Sequence, residues 1–183
     1  MGYFLLIAGL ALWVGAHFFK RIAPERRAAM GEKGKGLVAV GVIAGLVLMI
    51  WGYRSAVYID VWYPPAFLTH INNLLMLLAF YIYGIGAAKG KLAQRIRHPQ
   101  LIAVKTWALA HLLVNGGLAS IILFGGLLAW AVGEVIAINK AEPVWTKPEI
   151  IKPKGDLKLI VIALVLYAVV SGIHAWLGVW PFG

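Results

Sequence analysis

The sequence predicts an all-α, polytopic transmembrane helical bundle of about six spans. Three observations carry this. The chain is 62% hydrophobic and only 13% charged over 183 residues, whereas soluble domains lie nearer one half apolar and one quarter charged. Apolar runs recur at the length that crosses a bilayer, about 20 residues. The Lys and Arg residues gather in alternate connections between those runs, as the positive-inside rule requires.

The spans read at about Tyr3–Phe19, Leu37–Tyr53, Phe67–Ala88, Leu101–Val114, Leu118–Ile138 and Leu157–Val179, within one transmembrane domain covering residues 1–183. Each must be a helix, because unpaired peptide groups cannot face hydrocarbon and no run alternates as a barrel strand would. The first run has no basic residue before Lys20, so it reads as a retained helix and not a signal peptide. Lys20 to Lys35 separate the first two spans, Lys89 to Arg97 the third and fourth, and Lys140 to Lys158 the last two. With the N-terminus outside, fifteen of the 17 basic residues are cytoplasmic. Arg54 lies on the outer side and Lys105 within a span.

The stretch Leu101–Ile138 is predicted to be a hairpin turning at Asn115-Gly116-Gly117, since Asn and Gly tolerate the positive φ of turns. Read as one long helix, it would leave five spans. Tyr58, Trp62 and Tyr63 suit an outer interface, where amphipathic rings settle, and Pro64-Pro65 closes that loop. Gly41 and Gly45 form a G-x-x-x-G pair of the kind that lets helices approach. Ala141–Gly155, with Pro143, Pro148 and Pro153 among alternating charges, reads as a solvated loop.

A net charge of +10 fits cationic loops against anionic headgroups, with the lipid bilayer as the partner. No nucleic-acid partner is expected, because the chain has no soluble nucleic-acid module. The absence of cysteine excludes disulfides, thiolate metal sites, a Cys nucleophile and Cys-linked haem. There is no H-E-x-x-H, no paired carboxylate in a span, no Gly-rich phosphate loop and no G-x-S-x-G.

Ionisable groups within a bilayer mark function more often than chance, which singles out the histidines. His17 lies one turn from the cytoplasmic end of the first span, four residues after Trp13. His111 lies in the fourth span with Trp107 and Asn115 one turn to either side on its face. His70 lies near the outer end of the third span beside Asn73, and His174 in the last span with Ser171 and Tyr167 on its face. His98, in Arg97-His98-Pro99, suits an interfacial helix start. Neutral imidazole is a common metal ligand and a normal axial ligand of haem, and two such residues on different helices suffice to hold a haem. The structural alternative is that each imidazole bonds a helix carbonyl or an interfacial water. Lys105 and Glu134 are the other charges within the spans. Glu134 is expected to snorkel; Lys105 either snorkels or meets an acid group of a cofactor, such as a haem propionate.

Arg97-His98-Pro99-Gln100-Leu101, Trp107-Ala108-Leu109-Ala110-His111-Leu112, Asn115-Gly116 and Phe124-Gly125 together resemble the NnrU family. These are bacterial membrane proteins associated with nitrite and nitric oxide reduction. The stretch also resembles 15-cis-zeta-carotene isomerase, a membrane haem b enzyme whose iron is held by histidines of an early helix and of the W-x-x-x-H helix. The resemblance covers essentially the whole chain. It implies a multi-pass protein of the bacterial inner membrane that binds haem b, with His111 and His17 as the iron ligands; the depths of six spans offer His70 and His174 as alternatives. Lys105 would contact a propionate, with Trp107 and Asn115 beside the cofactor. It implies denitrification, or an isomerase acting on an apolar polyene, or assembly with a membrane protein partner. The isomerase carries a Cys three residues before its second ligand, where this chain has Ala108, so ligand exchange through that Cys is excluded. The R-H-P start also resembles isoprenylcysteine carboxyl methyltransferases, but Leu101 replaces their Tyr and the following Glu pair is missing.

Six spans place His17 towards the inner face and His111 towards the outer, more than ~10 Å apart in depth at 1.5 Å of rise per residue. That reading brings His111 near His70 and His174. The five-span reading instead brings His17 and His111 level.

Overall fold

The computed structural model describes residues 1–182. These form α1 (Gly2–Ile22), α2 (Pro24–Ala29), α3 (Gly31–Ser55), α4 (Leu68–Ala88), a 3-10 turn (Lys91–Gln94), α5 (Pro99–Val114), α6 (Leu118–Ala141) and α7 (Gly155–Trp176). Five of the helices, α1, α3, α4, α6 and α7, are long and apolar enough to cross a membrane. α5 has 16 residues, about 24 Å at ~1.5 Å per residue, which falls short of a hydrocarbon core of ~30 Å. The chain is therefore the helical membrane protein the sequence predicts. Asn115 has an extended backbone and ends α5, so residues 101–138 are two helices and the single long helix does not occur.

The basic connection between the first two spans is mostly helical. α1 runs on to Ile22 and α3 already starts at Gly31, because Lys and Arg are good helix formers. Pro24 opens α2 at its first position, where its missing N–H costs nothing. Lys20 and Arg21 lie in the last turn of α1, where cations oppose the partial negative charge of the helix end.

The chain divides into two compact units. The first comprises Met1–Trp62 with Gly116–Trp130; the second comprises Tyr63–Asn115 with the residues from Ala131 onward.

In the first unit α1 packs on α3 through glycine. A Cβ on Gly9 would stand 2.6 Å from the Met49 nitrogen and 2.8 Å from the Gly45 oxygen, and one on Gly52 would strike the Leu6 nitrogen. Gly45 thus sits in the helix contact, its own Cβ position 3.0 Å from the Gly9 oxygen and the Trp13 nitrogen. Leu6 and Met49 fill the space beside these contacts and are almost wholly buried. Tyr53 on α3 meets α6 through a hydroxyl contact with Ser120 of 2.9 Å and a ring contact with Phe124. The loop between α3 and α4 pairs with the Gly116-Gly117 segment between α5 and α6. The Val61 and Trp62 N–H groups donate to the Gly116 carbonyl at 3.0 and 3.2 Å, and the Leu118 N–H donates to the Ile59 carbonyl at 2.8 Å. Gly117 leaves room for the Tyr58 ring, which a Cβ would meet at 2.8 Å.

In the second unit α4 packs on both α5 and α7. Gly86 faces Gln100 and Gly84 faces Leu159. Beside the C-terminal end of α4, Ile85, Ala93 and Leu159 form a core that Tyr81, Ile82, Leu92 and Ile96 extend. The loop before α7 is exposed, as the sequence predicts, and is also tied down there. The Lys89 carbonyl accepts from the Ile151 and Lys152 N–H groups. Asp156 Oδ2 accepts the Leu92 N–H at 3.1 Å, and the Asp156 carbonyl accepts the Tyr81 hydroxyl at 3.3 Å. Asp156→Ala is expected to cost about 1–3 kcal/mol, the worth of a hydrogen bond to a charged acceptor, and to speed hydrogen exchange at the Leu92 amide. Asp156→Asn keeps an acceptor and should retain most of the protection. Unchanged exchange in Asp156→Ala would remove Asp156 from this role.

α7 stops at Trp176, before the predicted Val179. Gly178 adopts φ +85°, and the Val179 N–H turns back to the His174 carbonyl at 2.9 Å, a helix end that favours glycine because a Cβ is strained at positive φ.

Candidate functional site

Four of the histidines lie within helices, and three of them, His17, His111 and His174, are held alike. The Nδ1–H of His17 donates to the Trp13 carbonyl at 2.8 Å, that of His111 to the Trp107 carbonyl at 3.0 Å, and that of His174 to the Val170 carbonyl at 2.8 Å. Each acceptor lies four residues back, because helical side chains lean towards the N-terminal turn and reach its carbonyl. A carbonyl only accepts, so the ring nitrogen facing it carries the proton. The neutral imidazole then has its lone pair on Nε2. This bond satisfies the structural alternative set out above, and it also fixes the tautomer in which an imidazole binds iron.

The second unit holds His70, His98, His111 and His174. His111 lies three residues from the end of α5, with the Trp107 ring 5.1 Å away. His174 lies two residues from the end of α7. His70 is exposed in the first turn of α4. His98 is the N-cap residue of α5, and its Nε2 contacts Asn139 Oδ1 at 2.9 Å, which fits an anchoring role at the helix start. Asn115 caps α5: its backbone N–H and its Nδ2 both donate to the His111 carbonyl, at 3.0 and 2.8 Å. Trp107 supplies the carbonyl that orients His111 as well as a ring beside it. Lys105 is partly buried in the middle of α5. Glu134 does not snorkel. It is only 6% exposed.

His17 lies in the first unit, wedged against two indoles. Its ring centroid is 4.5 Å from that of Trp13 and 4.6 Å from that of Trp130, and the two indoles form a T-shaped pair at 5.4 Å.

Sequence reasoning passed over two residues here. Trp130 gave no indication, since an apolar aromatic inside a span reads as packing. Asn72 is buried at 8% exposure on α4, its Nδ2 donating to Asn73 Oδ1 and its own Oδ1 without a partner. It lies four residues into α4. Counting ~1.5 Å per residue from the Gly86–Gln100 and Gly84–Leu159 contacts places it level with the last turn of α5 and with the region of Ser171 on α7. An amide buried in a span was visible in the sequence beside Asn73 and the first-turn His70. Among the described residues no three His, Asp or Glu side chains come together to hold a metal ion.

No curated protein and no solved structure matches the chain. Residues 5–181 match the NnrU protein family, nearly the whole chain. The spans, the R-H-P start of α5 and the W-x-x-x-H face of that helix thus lie in one continuous match, and the chain belongs to the NnrU family.

Proposed function

We propose that this chain is a multi-pass haem b protein of the bacterial inner membrane, with His111 and His174 as the axial ligands and a role in nitrogen-oxide respiration. The observation that carries the reading is the tautomer lock, an Nδ1–H spent on the i−4 carbonyl in both residues. Two neutral imidazoles on different helices of one unit suit a porphyrin better than a bare ion. A bare cation takes three or four protein ligands, whereas the porphyrin brings four nitrogens of its own. Bound there, haem b would supply a one-electron iron couple. The protein's contribution is to orient the ligands through the Trp107 and Val170 carbonyls and to exclude water with apolar helices. The resemblance offers His17 as the second ligand instead, and the single variants below distinguish the two pairings. The respiratory role rests on the family resemblance.

The test is haem content and coordination in single variants. His174→Ala is expected to lose the low-spin spectrum and to gain a carbon monoxide complex, while His17→Ala keeps the wild-type spectrum. Loss of haem in His17→Ala with full retention in His174→Ala would overturn the pairing.

Orientation has its own measurement. The chain has no native cysteine, so single substitutions report cleanly on exposure. Lys147→Cys should react with an impermeant thiol reagent only from the cytoplasmic side, and Tyr63→Cys only from the opposite side. The reverse pattern would invert the topology.

A further inference from the structure

Trp13, His17 and Trp130 make a cluster that the haem reading does not use. All three belong to the first unit, on α1 and the middle of α6. Both indole Nε1–H groups are buried and lack an acceptor, and Trp130 as a whole is only 8% exposed. A buried donor without a partner is destabilising, and few survive in native structures. The T-shaped contact of the indoles presents one edge to one ring face, so it absorbs at most one of the two N–H groups.

Position sharpens the problem. Tryptophan usually settles at the membrane interface, where its N–H finds water or headgroups. Trp13 lies near the middle of α1 and Trp130 near the middle of α6, where neither is at hand. The acceptor that completes these donors must therefore come from the hydrocarbon phase. It needs carbonyl oxygens for the two N–H groups and a flat ring to lie among aromatic walls. His17 adds Nε2, since its Nδ1–H is held by the Trp13 carbonyl, and so offers an acceptor for a hydroxyl on the same ring.

We propose that Trp13, His17 and Trp130 form a binding site for the carbonyl-bearing ring of a bilayer-soluble quinone. Trp13 is half-buried while Trp130 is enclosed, which makes the Trp13 ring the movable wall through which the ligand passes. The site stands on the orphaned donors and is independent of whether iron is bound elsewhere.

The test uses the full chain in lipid nanodiscs and a short-chain benzoquinone, with binding read by calorimetry against empty nanodiscs. Saturable binding near one per chain is expected. Trp13→Phe and Trp130→Phe keep the ring and delete the N–H, and each should weaken binding about tenfold. Trp51→Phe, which alters an indole exposed on α3, should bind as the wild type does. A hydrocarbon analogue without carbonyls should not compete. Absence of saturable binding, equal binding by the two Phe variants and the wild type, or effective competition by the hydrocarbon would each overturn the site. Circular dichroism of the Phe variants separates lost binding from lost folding.

Discussion

His111→Ala is expected to abolish haem binding, with haem per chain falling at least about tenfold, equivalent to about 1.4 kcal/mol or more of binding free energy. The substitution removes the Nε2 lone pair that the Trp107 carbonyl orients. It should leave α5 folded, because the Asn115 cap bonds the backbone carbonyl of residue 111, which alanine keeps, and alanine is the best helix former. Helix content by circular dichroism should therefore match the wild type while the Soret band disappears. Trp107→Phe provides the contrast. It retains the backbone carbonyl that locks the His111 tautomer and should keep most of the haem. Full haem occupancy in His111→Ala would show that this imidazole is structural.

Gly9→Leu is expected to damage the fold severely. The Cβ alone would press on the Met49 nitrogen and the Gly45 oxygen. Backbone cannot move aside as a side chain does, so α1 and α3 must separate and strip the burial of Leu6, Leu10 and Met49. Overpacking of this kind costs about 1–3 kcal/mol and sometimes more, and the upper end is expected here. Gly15→Leu on the same helix meets nothing within 4 Å and should be neutral. Thermal unfolding of the two variants in one detergent tests this. Equal midpoints would mean that the α1–α3 contact adds little to stability.

The spans were legible because lipid imposes one rule on the whole chain: each segment that crosses must be apolar and helical. Their ends were less so. Lys20–Lys35 looks like a loop by charge, yet it lengthens α1 and α3, since hydropathy marks where lipid stops and says little about where a helix stops. The Asn115–Gly117 break was readable from its residues, but the positive φ expected of them does not occur: Asn115 is extended, and the segment pairs with the loop after α3. Gly41 and Gly45 pointed to a helix contact. The pattern did not reveal Gly9 and Gly52, whose role depends on which helix lies opposite. The histidines stood out by cost alone, and so did the choice among their partners as a matter of depth. Trp130 and the loop strapped at Asp156 depend on contacts between residues far apart in sequence, which no local pattern carries.

The most direct test of haem binding is a visible spectrum of the purified wild-type protein after haem has been supplied, oxidised and then dithionite-reduced, with and without carbon monoxide. A Soret band, sharp bands on reduction and no carbon monoxide shift are expected for an iron held by two imidazoles. A protein that stays colourless after reconstitution would contradict haem binding and leave the locked histidines as part of the helix framework.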